Sequence, residues 1–171
     1  MLNASEIRKL IEEQQLITGY IDLEKQLQPS GFDLSLSEVH VFSGAGAVDF
    51  SNKERTIAST TSLKPDVEGW YSLERGCYLI MYNEVVKMPL DLVAIARPRS
   101  TLLRNGVTME TAVWDPGYHG KGSSLLLVHN PSGVRLKRDA RLTQLLFLGI
   151  NEVKAGYRGV YQHERLKTED K

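Results

Sequence analysis

Residues 96–106 read ARPRSTLLRNG, three arginines and two hydroxyls set between an apolar run and a glycine. Arginines are seldom buried without a partner, so Arg97, Arg99 and Arg104 raise the question of an anion. Guanidinium forks match phosphate oxygens, and a serine hydroxyl adds a donor. Arg99, Ser100 and Arg104 therefore read as an anion cradle, with Thr101 beside them. A turn or short helix at 100–105 would also aim backbone N–H groups at the anion. The same residues equally suit a surface turn with salt-bridging arginines.

Other site chemistries lack their residues. A zinc deaminase needs a His or Cys with two further cysteines, and the chain has one, Cys77. His40, His119, His129 and His163 do not have metal-ligand spacing. Neither a GxxxxGK[ST] loop nor a GxSxG elbow occurs, and SGAG at 43–46 reads as a turn.

The elements that must hold the arginines are mostly strands. One helix is predicted over NASEIRKLIEEQQL: Asn3 and Glu6 have capping-box spacing, Ser5 is an alternative cap, and Ile7, Leu10 and Ile11 form a stripe. After it, GFDLSLSEVHVF alternates, with Phe32, Leu34 and Leu36 to one side and Asp33 and Ser35 to the other. Two strands flank a turn at Glu74–Gly76, and LDLVAIARP is a strand that stops at Pro98. Asn105-Gly106 and Asp115-Pro116-Gly117 are turns, NPSG joins two strands, and ARLTQLLFLGI is a buried strand. Many short strands with close turns predict an all-β sandwich, jelly roll or barrel. The pattern fades after residue 150, which reads as a mobile tail or arm.

Length and charge fit that picture. The chain has 171 residues, enough for one domain with a real core, and a formal net charge of +0. That balance calls for neither nucleic acid nor an anionic membrane. The absence of a long apolar run and the single cysteine place the chain, as an expectation, in a reducing cytoplasm.

Ordered motifs carry a resemblance. RPRSTLLRNGV followed by TAVWDPGYHGK resembles the central motifs of the dCTP deaminase/dUTPase superfamily. PSGFDLSL, VVKMPLDLVAIARPRS, ARLTQLLF and YRGVYQHE resemble its flanking segments in order and spacing. The resemblance implies a mainly β fold, a distorted barrel or jelly roll with a short N-terminal helix, assembled as a homotrimer. Residues 1–150 would form the dUTPase-like domain and 151–171 an arm closing on the nucleotide. Sites between subunits would hold a deoxypyrimidine triphosphate with Mg²⁺ and no zinc. By position, Arg99, Ser100, Thr101 and Arg104 would bind phosphates, Asp115 would face the deoxyribose, and Gln144 would lie beside the phosphates. Tyr157 and Tyr161 would come from the arm, and Asp33 would approach the metal through water.

The departures narrow the chemistry. The deaminases' glutamate falls at Leu125, and a leucine cannot shuttle protons. The dUTPase aspartate sought two residues after the hairpin glycine falls at Thr108, and the nearest substitute is Glu110 on the same strand face. The expectation is therefore hydrolysis of dUTP or a related triphosphate, with Glu110 or Asp115 orienting the water. The alternatives are dCTP deamination or a nucleotide-binding relative without catalysis.

Overall fold

The computed structural model describes residues 1–166. It opens on α1 (Ala4–Gln14), whose capping box is closed in both directions: the Asn3 side chain accepts from the Glu6 N–H at 3.1 Å, and the Glu6 carboxylate accepts from the Asn3 N–H at 2.8 Å. Ile7 and Ile11 bury its inner face. There follow β1 (Ile17–Thr18), α2 (Leu23–Gln26), β2 (Leu27–Gln28), β3 (Gly31–Phe42), β4 (Thr60–Ser62), β5 (Trp70–Leu73), β6 (Gly76–Tyr82), β7 (Val85–Lys87) and β8 (Leu92–Pro98). The chain continues through α3 (Ser100–Arg104), β9 (Val107–Glu110), β10 (His119–Gly120), β11 (Ser123–Val128), β12 (Val134–Lys137) and β13 (Arg141–Gly149).

The main sheet runs β8-β13-β3-β6-β11-β9, with β2 and β4 added alongside β3. Its two edges, β8 and β9, are consecutive in the chain and joined through α3, so the sheet curls into a nearly closed, distorted barrel. Smaller sheets, β1-β7-β10 and β12-β5, cover its flanks. Inward residues of every main strand meet in the core: Phe32, Leu34 and Leu36 from β3, Ile80 and Tyr82 from β6, Leu126 from β11, and Leu142, Leu145 and Phe147 from β13. Each such aliphatic or aromatic side chain contributes roughly 1.5–3 kcal/mol by leaving water.

Two local features position the site. In the first half of β3 the expected outward residues, Asp33 and Ser35, are as buried as the inward ones. The buried Glu84 supplies the reason: its carboxylate accepts from the Ser35 N–H at 2.9 Å, the Ser35 hydroxyl at 2.5 Å and the Gln26 amide at 2.6 Å, which ties α2 and the approach to β7 across the outer face. Burial pushes the Glu84 carboxyl above its ordinary range, against those hydrogen bonds. The second feature is a bulge where β13 meets β3, between Arg141 and Thr143. Leu142 and Thr143 both point inward there, so Arg141 and Gln144 are turned to the opposite face.

Candidate functional site

The arginine segment lies where β8 leaves the sheet. Pro98 ends the strand, Arg99 donates its backbone N–H to the Leu142 carbonyl at 2.9 Å, and α3 begins at Ser100. Arg99 and Thr101 line a cleft of about 1190 Å³ together with Arg141, and Arg75, Arg135 and Lys137 add further positive charge to its walls. Arg135 is held over the Trp70 ring at 4.8 Å and pairs with Asp66 at 3.2 Å. Such a concentration of guanidinium groups suits a polyanion.

Behind this cleft sits Asp33, 1% exposed. Its Oδ2 is 2.9 Å from Arg99 Nε and 3.3 Å from Arg141 Nη1. Burial pushes the Asp33 carboxyl up, and the two guanidiniums pull it back. Strand β3 places Asp33 on the outer face of the sheet, where two arginines cover it, so the carboxylate expected to approach a metal through water is paired with cations in this structure. The sequence pattern does not mark Arg141: its outward turn comes from a bulge that its neighbours' types do not announce.

A second cavity, about 320 Å³, is built on the turn between β9 and β10 and lined by Trp114, Asp115, Tyr118, Ser123, Tyr157, Tyr161 and Glu164, among others. Trp114 is fixed by a two-way backbone bridge to Ala94, and its indole lies where any side chain at Gly122 would come within 3.1 Å. Asp115 is exposed at the mouth, just ahead of the turn glycine Gly117 with φ +80°. Gly117 and Gly156 approach so closely that a Cβ on either would fall within 2.9 Å of the other's Cα. That contact lets the C-terminal segment cross the turn.

From there the segment is strapped to its own turn, the opposite of a loose tail up to residue 166. Tyr157 donates its N–H to the Pro116 carbonyl at 2.7 Å, and His163 to that of His119 at 2.7 Å. The Gln162 side chain accepts from the His119 N–H at 3.0 Å and donates to the Gly117 carbonyl at 2.9 Å. Arg165 donates to the carbonyls of Lys121 and Gly122. Tyr118 donates to Glu164 Oε1 at 2.8 Å, and its ring meets Tyr157 edge-on at 5.8 Å. Burial pushes both the Tyr118 hydroxyl and the Glu164 carboxyl up. Polar groups and backbone make this attachment, so no apolar pattern marks it in the sequence. The last part of the expected arm, residues 167–171, lies outside the described residues.

The predicted site residues thus fall into three groups. Arg99 and Thr101 line the basic cleft; Asp115, Tyr157 and Tyr161 line the aromatic cavity; Ser100, Arg104, Gln144 and Glu110 line neither. Ser100 and Arg104 are exposed on α3, where Arg104 donates to the Ser100 carbonyl at 3.3 Å. Gln144 lies directly across from Asp33 and Arg97 on the outer face of the sheet. Glu110 is exposed at the end of β9, paired across the ladder with Leu125. The cleft and the cavity share no lining residue and sit at opposite ends of β8, with Ala94 beside Trp114 and Arg99 five residues on, roughly 16 Å along an extended chain.

Comparison with known proteins places this architecture. The dCTP deaminase-like family profile matches residues 1–150. A Methanosarcina barkeri protein named "Probable deoxyuridine 5'-triphosphate nucleotidohydrolase" is 48% identical over 169 residues, 98% of this chain and 99% of its own. The deoxyuridine 5'-triphosphate nucleotidohydrolase of Methanocaldococcus jannaschii is 34% identical over 140 residues, 81% of this chain and 88% of its own. Among solved structures, the 2'-deoxycytidine 5'-triphosphate deaminase of Agrobacterium tumefaciens superposes with a TM-score of 0.63 at 23% identity. That match covers 88% of this chain but only 48% of the deaminase chain, and it bears on the fold. Barrel, motif order and near-full-length identity agree that the chain belongs to the dCTP deaminase/dUTPase superfamily.

Proposed function

We propose that this chain hydrolyses dUTP to dUMP and pyrophosphate at sites completed between copies of itself. The observation that carries the reading is near-full-length similarity to proteins named for that reaction. Side-chain chemistry agrees. The outward residues of β11 are Ser123, Leu125 and Leu127, so the strand carries no carboxylate for proton transfer at a cytosine ring. dCTP deamination is the poorer fit for that reason.

In the proposed reaction, Arg99 and its neighbours in the basic cleft offset the charge that builds on the phosphates. A water oxygen bonds to the α-phosphorus, the bond to the α–β bridging oxygen breaks, and pyrophosphate leaves with the electron pair. The proton lost by water goes to a carboxylate. Asp115, in the aromatic cavity, is better placed for this than Glu110, which lies outside it. Tyr118, Tyr157 and Tyr161 offer flat apolar surfaces for base and sugar.

Mg²⁺ fits as a companion of the substrate. Among the described residues no cluster of three or more His, Cys, Asp or Glu could cage an ion, and Asp33 is taken by arginines. Phosphate oxygens and waters would supply most ligands, an arrangement usual for this ion. When bound, Mg²⁺ supplies charge compensation to the triphosphate.

The two halves of the site lie in separate clefts of one chain, which supports a homo-oligomer, a trimer by analogy with the family, in which one copy's cleft meets another's cavity. The test is product analysis with dUTP or dCTP and Mg²⁺. Formation of dUMP and pyrophosphate from dUTP, with dCTP not deaminated to dUTP, is the expected result. Accumulation of dUTP from dCTP, or binding without product, would overturn the proposal.

A further inference from the structure

Arg99 has five N–H bonds to give. Its Nε sits 2.9 Å from Asp33 Oδ2 in an ion pair, and one N–H, on Nη1, is given to the Arg141 carbonyl at 3.2 Å. Among the described residues the Arg99 side chain makes no other hydrogen bond to protein, and it lines the basic cleft with 30% of its surface exposed. Arg141 is held alike: Nη1 contacts the same Asp33 oxygen and the Lys25 carbonyl, and the side chain is 32% exposed along the same cleft. A single buried carboxylate therefore grips two guanidiniums from behind, one just past the end of β8 and one at the start of β13, and both side chains line the open cleft. Asp33 is itself held in the sheet opposite Gln144 of β13, and its carbonyl accepts from the Gln26 amide at 2.9 Å.

We infer that Asp33 is a positioning residue that clamps Arg99 and Arg141 side by side as a preorganised seat for the substrate's polyphosphate. It costs part of the cleft's positive charge. In return it fixes two rotamer-rich side chains before the ligand arrives, so less freedom is lost on binding. The inference rests on the reading of the basic cleft as the phosphate half of the site.

The experiment measures inhibition of dUTP hydrolysis by inorganic tripolyphosphate, with thermal melting of each full-length variant as the control for folding. Asp33→Asn keeps the shape and removes the charge that holds the guanidiniums. It is expected to raise the tripolyphosphate Ki about tenfold, with kcat less affected than KM. Arg99→Ala should raise Ki at least as much. In the double variant, Asp33→Asn should add clearly less than the roughly tenfold it costs alone, because one of the two guanidiniums it positions is gone, whereas any loss of melting temperature would persist in full. Arg99→Lys keeps a charge but has no Nε to clamp, and it should behave nearly as Arg99→Ala; this variant keeps the test open if Asp33→Asn does not fold. A wild-type Ki in Asp33→Asn or Arg99→Lys, while Arg99→Ala is impaired, overturns the clamp and leaves the phosphate cleft standing. A wild-type Ki in Arg99→Ala removes the phosphate reading and the clamp with it.

Discussion

Two carboxylates compete for the task of activating water, and their surroundings separate them. Asp115 stands at the mouth of a cavity walled by Trp114, Tyr118, Tyr157 and Tyr161; Glu110 stands exposed on β9, across from Leu125. Asp115→Asn should lower kcat for dUTP by on the order of 10²- to 10⁴-fold, whereas Glu110→Gln should stay within about threefold of wild type. Steady-state pyrophosphate release checks both, and the reverse ranking would return the role to Glu110. Arg99 and Asp115 were legible as residue types at family spacing. The grip on Asp33 was not, because an alternating strand predicts sidedness but not what covers the outer side.

Elements carry the site through a few pins, and Glu84 is the deepest. It joins α2, β3 and the entry to β7 while fully buried, and its carboxyl titrates above its usual range because of that burial. A group whose folded pKa is raised contributes stability that is full below its unfolded pKa and is lost as pH rises through the folded one. Glu84→Gln places an amide donor against the Gln26 donor and should cost about 1–3 kcal/mol. That cost should be larger near pH 5 than near pH 8, since only the wild type loses the Glu84 contribution over that interval, while the other raised carboxyls act alike in both proteins. Melts at the two pH values check the sign; a cost that grows with pH would contradict the assignment. Helix α1, the strands and the turns at Asn105-Gly106 and Asp115-Pro116-Gly117 could be read from capping spacing, alternation and turn chemistry. The bulge at Arg141 and the strapping of 157–166 could not, because both depend on pairing with residues far along the chain.

For the molecule as a whole, the decisive fact is separation. One chain holds a cationic cleft at one end of β8 and an aromatic, acidic cavity at the other, and the proposed nucleotide site needs both. A composition with formal net charge +0 hides this, since the positive charge is local. No single-chain pattern shows which cleft meets which cavity, and the resemblance alone suggested that the meeting is between subunits. Mixing two crippled chains tests this most directly. Arg99→Ala and Asp115→Asn proteins, each strongly impaired alone, are unfolded and refolded together at equal concentration under different tags. If one copy's cleft faces another's cavity, about a quarter of all sites after random assembly, and about one in three within trimers that contain both chains, pair two intact halves, and dUTP hydrolysis should return to about those fractions of wild type. Mixed oligomers, isolated through both tags, that remain as impaired as their parents would contradict the account.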